Sequence, residues 1–456
     1  MPSVAEAARE LSGAFTGQLL LPADEGYDEA RKVHNGLIDK RPALIGRCRG
    51  VADVVDAVSL AHKLGLEVAI RGGAHNVAGR ATVEGGLMID LSPMRGIRVD
   101  VSGRAVHTQG GAIRADLNRE TQLHGLAVTG GVVSTTGVAG LTLGGGLGWL
   151  MSKYGLALGN LLSVELVTAD GKVRQVSVEE EPDLFWAVRG GGGNFGVATS
   201  FEFQLHPVGP TITGGLVAYP FERARDMLRF FRDQTGSLPD EQTLFAGLLH
   251  APDGSGTKLA AMVTCHCGSL ADGEAAMRPL KEFGSPALET LGPIAYCQLN
   301  GMLDAAYPKG ALNYWKSSFL AELSDSAIDA MIEAFARCPT PMGQLLLEHF
   351  HGAATRVGVG DTAFPLRKTG YNFLVLAEWM DTADNNRCIA WTRQSYDEMK
   401  CFFSSGRYVN YLNDDESGDD PVAAAYGPNY RRLQEIKAKY DRNNFFHLNQ
   451  NIRPLL

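Results

Sequence analysis

The sequence predicts an α+β protein built in two parts. Two observations point there. Of its 54 glycines, 26 fall between Arg71 and Ser200, where they punctuate short β-type runs. After Pro207-Val-Gly-Pro210 glycine thins, and strands alternate with longer helices. A third, the length of 456 residues, exceeds what one hydrophobic core usually serves, so more than one domain is expected. Hydrophobic residues at 45% and charged residues at 20% suffice for a core, which excludes a collagen-like, low-complexity or disordered chain.

Taken in order, the first fifteen residues form an amphipathic helix containing Glu6, Arg9 and Glu10. Residues 28–70 read as helix, strand, helix, strand. Val51 to Leu64 has helical periodicity, and Gly65 stands where a C′ glycine belongs. Short strands follow at 86–90, 105–109, 161–169, 173–178 and 197–205, with Asp170-Gly171 as a hairpin turn. A short helix is expected at Asp183–Ala187. Beyond residue 207, helices are predicted at Glu222–Gln234, Leu270–Glu282, Asp325–Arg337 and Tyr430–Tyr440. Gln344 to Gly352 reads as a strand.

The net charge of −9 offers no basic field for nucleic acid or an anionic membrane. No apolar run reaches the ~18 residues of a membrane span, and no basic-then-apolar leader opens the chain. A cytoplasmic protein, monomeric or homodimeric, is expected. Seven scattered cysteines make no disulfide framework. Cys265-His266-Cys267 follows Met262-Val263-Thr264 and lacks a second ligand pair, so it reads as strand; no metal is expected.

Gly191-x-Gly193-x-x-Gly196 fits GxGxxG, but a dinucleotide fingerprint must open a helix. Here Val197 to Leu205 alternates as a strand, which argues against a Rossmann site. Three other clusters, Arg71-Gly-Gly-Ala-His75-Asn76, Gly137-Val-Ala-Gly140 and Gly144-Gly-Gly-Leu-Gly148, can form concavities of loop N–H groups for an anion. A phosphate-bearing cofactor lying across them, or tight turn packing alone, accounts for the glycine surplus.

At these residues a family resemblance emerges. Ile70-Arg-Gly-Gly-Ala-His-Asn-Val-Ala-Gly79 resembles the flavin-attachment loop of berberine-bridge-enzyme-like proteins, members of the vanillyl-alcohol-oxidase/PCMH class. Gly131-Val-Val-Ser-Thr-Thr-Gly-Val-Ala-Gly140, Lys153-Tyr-Gly-Leu156 and Leu184-Phe-Trp-Ala-Val-Arg-Gly-Gly-Gly-Gly-Asn-Phe-Gly-Val197 follow in the family's order. So do Tyr314-Trp-Lys-Ser-Ser318, Thr362 to Arg367, Tyr408-Val-Asn-Tyr411 and the tail Asn444 to Ile452. The resemblance implies a two-subdomain PCMH-type FAD lobe over residues 1–206 and a substrate lobe of antiparallel sheet backed by helices over 207–407. A segment over 408–456 returns to the FAD lobe.

The same resemblance implies FAD bonded through His75 to the flavin 8α-methyl. Bicovalent members add a cysteine link where this chain has Val133, so attachment through His75 only is expected. Cofactor contacts are implied for Arg71, Gly72, Gly73, Ala74, Asn76 and Gly79. They are also implied for Ser134, Thr136, Gly137, Gly140, Gly144, Gly145 and Gly148, and for Val197, Asn410, Asn449 and Asn451. Thr136 matches the position that admits or blocks oxygen, which favours O2 as acceptor.

The family base matches Tyr411, either as the base or as a residue that only lines the pocket. Read as a strand, Tyr408-Val-Asn-Tyr411 puts Val409 and Tyr411 on one face and Tyr408 and Asn410 on the other. A phenol near pKa 10 would need a nearby cation, and Lys316 and Arg356 are the candidates. Alternation along the strand that holds Glu348 and His349 puts them on opposite faces. His351 shares the face of His349, and either face could meet the flavin. The catalytic candidates are therefore Tyr411, Glu348 and His349. The expected function is an oxidase of a small secondary-metabolite or alkaloid-like substrate. A flavin-dependent oxygenase, a carbohydrate oxidase or dehydrogenase, and a non-catalytic flavin-binding protein are the alternatives.

Overall fold

The computed structural model describes residues 3–416 and 419–455. The N-terminal helix runs Val4–Leu11 and starts at a reciprocal capping box between Ser3 and Glu6. Met1 and Pro2 of the expected helix lie outside the described residues.

Leu44–Arg47, the helix Val51–Leu64 and Val68–Arg71 make a crossover unit. Both strands pair in parallel with Leu87–Asp90, which lies between them. A parallel pair needs such a helical crossover. The helix stops at Gly65, whose φ of +65° is left-handed and whose N–H returns to the Ala61 and His62 carbonyls. Gln18–Leu20 completes this sheet as an antiparallel edge. A second, five-stranded antiparallel sheet is ordered Ile97–Asp100, Ala105–Gln109, Val197–Gln204, Leu161–Val167, Val173–Ser177. The Asp170-Gly171 turn closes its hairpin, with Gly171 at φ +74°.

The centre of the chain forms one large antiparallel sheet. Its main path runs Leu288–Glu289, Thr211–Pro220, Lys258–His266, Gln242–His250, Gln344–Phe350, Gly370–Trp379, Leu312–Leu320. The helices Ala224–Thr235, Leu270–Glu282, Asp325–Ala336 and Asn385–Met399 cover one face. Met227, Phe231, Ile328, Met331, Leu345, Leu347, Phe373 and Val375 are all buried in the layer between. The opposite face turns toward the N-terminal sheets.

The C-terminal segment packs back on the five-stranded sheet: Val422, Leu433, Ile436 and Ile452 share a core with Phe201 and Phe203. Lys437 anchors this return. Its fully buried ammonium pairs with Asp441 at 2.6 Å and donates to the carbonyls of Asn194, 2.6 Å, and Phe446, 2.9 Å. All three ammonium donors are thereby used, which a buried charge requires.

Two local expectations change. Val138–Leu143 is a short helix, so the 137–140 cluster is a helix start rather than a loop. Val409–Tyr411 is a 3-10 turn rather than a strand. The turn lets Val409, Asn410 and Tyr411 all reach one cavity, which strict alternation would forbid.

Candidate active site

A cleft of about 1650 Å³, open mouth included, runs between the N-terminal sheets and the bare face of the central sheet. One wall is backbone. Gly72, Gly73, Ala74, His75 and Asn76 follow strand Val68–Arg71, and face Thr136, Gly137 and Gly140. The close approach needs glycine: a Cβ on Gly73 would stand 2.4 Å from the Gly137 Cα. Ala74 has φ +56°, a left-handed geometry that costs a side-chain-bearing residue energy. It introduces His75, whose imidazole lies on the cleft wall with Nε2 3.3 Å from the Thr135 hydroxyl. Burial, and then neighbouring His34, push its pKa down to about 3, so the ring is neutral at ordinary pH.

The opposite wall comes from the central sheet. Leu346, Leu374, Leu376 and Trp315 give it an apolar surface, with Tyr307 at the edge. Into this surface projects Glu348, 4% exposed. Its Oε2 accepts from Asn372 Nδ2 at 2.6 Å and its Oε1 from the Tyr411 hydroxyl at 3.1 Å. Burial raises the Glu348 pKa to about 7, against the pull of those two hydrogen bonds. Tyr411 moves the other way from what a base requires. Burial and the Glu348 charge raise its pKa well above the ordinary phenol value. Neither cation expected to help it is engaged there: Lys316 pairs with Asp415 at 2.9 Å, and Arg356 with Asp240. Tyr411 is set edge-on between Tyr408 and Trp315, ring centroids 4.8 and 6.0 Å away.

His349 does not join them. It shares the helix-covered face of Leu345 and Leu347, stacked on His351 at 4.7 Å and tilted against Tyr371. The strand pleat separates it from Glu348, so the expectation of His349 as a catalytic group is not supported by its position.

Other expected residues divide between wall and support. Asn449 lines the cleft beside Gly193, and Asn410 lines it with its amide donating to the Leu141 carbonyl and the Tyr408 hydroxyl. Gly144 makes room for Asn410, Gly145 for Phe364 and Tyr408, and Gly148 for the Gly130 carbonyl. Gly79 turns at φ +67° beside Ile38. Ser134 spends its N–H and hydroxyl on Asp304. Arg71 is tied to the Ala30 carbonyl and lies 3.7 Å from Asp90, while Val197 is buried in the core. Asn451 keeps a buried Oδ1 without a protein partner.

Several wall residues escaped sequence reasoning: Trp315, Tyr307, Arg80, Tyr426, Gln450 and the loop Gly192-Gly193-Asn194. The last sits in the cluster discounted as a Rossmann site. Its glycines face the cleft from a 3-10 turn, without a following helix.

Residues 42–177 match the model of an FAD binding domain, and residues 407–453 the model described as berberine and berberine like. An FAD-linked oxidoreductase of Dictyostelium discoideum is 31% identical, the match covering 98% of this chain and 96% of that protein. The chain belongs to the berberine-bridge-like family of FAD-linked oxidoreductases. Within this family it is also 30% identical to (R)-6-hydroxynicotine oxidase of Paenarthrobacter nicotinovorans, over 97% of each chain. The crystal structure of 6-hydroxy-D-nicotine oxidase from Arthrobacter nicotinovorans superposes with a TM-score of 0.88 at 29% identity, covering 97% of this chain and 99% of that one. Like its relatives, the protein is an FAD-dependent oxidoreductase acting on a small organic substrate through flavin redox chemistry.

The residues present fit FAD. The backbone cradle at Gly73 and Gly137 has no room for side chains. On the same wall the buried hydroxyl of Tyr426 has no protein partner, and a buried polar group without one calls for a ligand or water. Among the described residues, no helix is long and apolar enough to cross a membrane.

Proposed function

We propose that this protein is an oxidase of a small, largely apolar secondary metabolite, with FAD bonded through His75 alone and O2 as electron acceptor. The observation that carries this reading is the single cavity that joins the His75 loop to the Glu348–Tyr411 pair across an apolar wall. When bound, FAD supplies acceptance of a hydride and return of two electrons to O2. Everything else falls to side chains.

Trp315, Leu346, Leu374 and Leu376 exclude water and hold a flat apolar substrate; few hydrogen-bonding groups line that wall for a sugar. Glu348 receives the substrate proton. Its pKa of about 7 is close to the optimum for a general base at neutral pH. Tyr411 donates to the Glu348 carboxylate and orients it, a role consistent with its raised pKa. Val133 lines the cleft where a second link would need a thiol, and no cysteine lines it among the described residues, which supports attachment through one residue.

The test is an anaerobic screen of small aromatic and alicyclic amines and alcohols for flavin bleaching, followed by admission of air. One equivalent of peroxide per turnover is expected. Labelled oxygen in the product would overturn the oxidase reading in favour of oxygenation, and bleaching by sugars alone would overturn the substrate class.

A further inference from the structure

His34 is a buried residue that the chemistry above leaves unused. Its ring lies on that of His75, centroids 4.0 Å apart and planes 20° from parallel. It is 8% exposed, and its Nε2 has no hydrogen-bond partner. Backbone hydrogen bonds on both sides hold the residue that carries the ring. The His34 N–H donates to the Ala74 carbonyl at 3.0 Å, and the His34 carbonyl accepts from Gly310 at 2.9 Å. Next to it the Asn35 amide bridges the carbonyls of Val77, 2.7 Å, and Asn313, 2.9 Å. The 34–35 segment therefore locks the His75 loop to the central sheet and lays an aromatic plane beneath its imidazole.

We propose that His34 is a positioning residue for covalent flavin attachment, its ring holding the His75 imidazole in one plane at the cleft wall. The inference rests on the attachment through His75 proposed above. Attachment joins one imidazole nitrogen of His75 to the 8α carbon. That carbon gives up one C–H bond and the imidazole its N–H. Two protons and two electrons leave on dioxygen as hydrogen peroxide.

The reaction demands a neutral imidazole aimed at one carbon, and small misplacements of reacting groups are costly in rate. The one side-chain partner described for the His75 ring is the distant Thr135 hydroxyl, and the stack on His34 is a second restraint on its orientation. The stack also opposes charging both rings at once, since two imidazolium charges would lie 4.0 Å apart. Burial lowers the pKa of His34 as well, so the pair is neutral together.

The experiment compares full-length wild type, His34→Leu and His34→Phe purified from flavin-replete cells. Acid-precipitable flavin is followed in air, and total bound FAD and the thermal midpoint are measured alongside. Leucine fills the volume without a ring, whereas phenylalanine keeps a stacking plane without nitrogens. The expected result is FAD bound by all three, with attachment on the order of tenfold slower in His34→Leu. His34→Phe should stay within about threefold of wild type by the same reasoning.

Attachment in His34→Leu at the wild-type rate would overturn the proposal. So would a His34→Phe variant as slow as His34→Leu while binding as much FAD, because the plane alone would then not suffice. If wild type itself releases all its flavin in acid, the His75 link fails first, an outcome separate from either of these.

Discussion

Glu348→Gln is the sharpest perturbation of the proposed chemistry. Glutamine keeps the length of the side chain, and its carbonyl can still accept from Asn372, now 2.6 Å from Oε2. Its amide faces the Tyr411 oxygen, 3.1 Å from Oε1, so the pocket keeps a closed hydrogen-bond set and the fold should survive. What disappears is the proton acceptor. A positioned general base contributes roughly 10²- to 10⁴-fold, and the anaerobic rate constant for flavin reduction should fall by about that factor.

The pH dependence supplies a second readout. With a pKa of about 7, Glu348 is neutral below that pH, so the wild-type reduction rate should rise through pH 7 and then level. In Glu348→Gln this limb is absent. Stability gives the same answer with the opposite slope. The folded state holds the proton between the ordinary value of 4.5 and about 7, so wild-type stability falls as pH rises through that window. The loss is on the order of 3 kcal/mol at ~1.4 kcal/mol per pH unit. The variant should lack it. A stopped-flow profile in which Glu348→Gln keeps the wild-type rate, or keeps a limb near pH 7, would refute the assignment of Glu348 as base.

Three other perturbations test neighbouring parts. Tyr411→Phe removes a hydrogen bond that favours the Glu348 carboxylate, so the reduction limb should move up by roughly one to two pH units; outright loss of the limb would make Tyr411 the base. Lys437→Met leaves Asp441 buried and unpaired and should lower unfolding free energy by about 3–5 kcal/mol, read from urea titrations; an unchanged midpoint would deny the clamp its role. Ala74→Gly relieves the left-handed φ of +56°, a gain of ~1–2 kcal/mol partly offset by glycine's unfolded-state freedom. A raised thermal midpoint is expected, and a lowered one would mean that the alanine methyl contributes more than its strain costs.

Legibility in the sequence followed the range of the interactions involved. Gly65 as a helix stop, the Asp170-Gly171 hairpin and the helix Tyr430–Tyr440 depend on neighbours along the chain, and each appears where local chemistry put it. The His75 loop was visible because a run of adjacent residues carries it. Alternation established that Glu348 and His349 oppose each other, but not which face the helices would cover. That depends on Phe231, Met331 and the other residues packed from distant helices. Trp315 lies in the run Tyr314-Trp-Lys-Ser-Ser318, but only the pairing of Leu312–Leu320 with Gly370–Trp379 brings it over the cleft, and Tyr307 belongs to no local pattern. The 190–196 glycines were set aside because no helix follows them. The strand at Val197–Gln204 follows from alternation, whereas the way Gly192 and Gly193 face the cleft follows from no local pattern. At Tyr408–Tyr411 a single turn of 3-10 geometry defeated the alternation that a strand would have obeyed.

The central claim is that His75 carries FAD as its one covalent link in the cleft. Intact-protein mass measurement under denaturing acid, on wild type and His75→Ala from flavin-replete cells, tests it most directly. Wild type is expected at the mass of the chain plus FAD less two hydrogens, with the adduct on the peptide containing His75, and His75→Ala at the mass of the bare chain. Wild type at the mass of the bare chain, or an adduct that survives in His75→Ala, would contradict it.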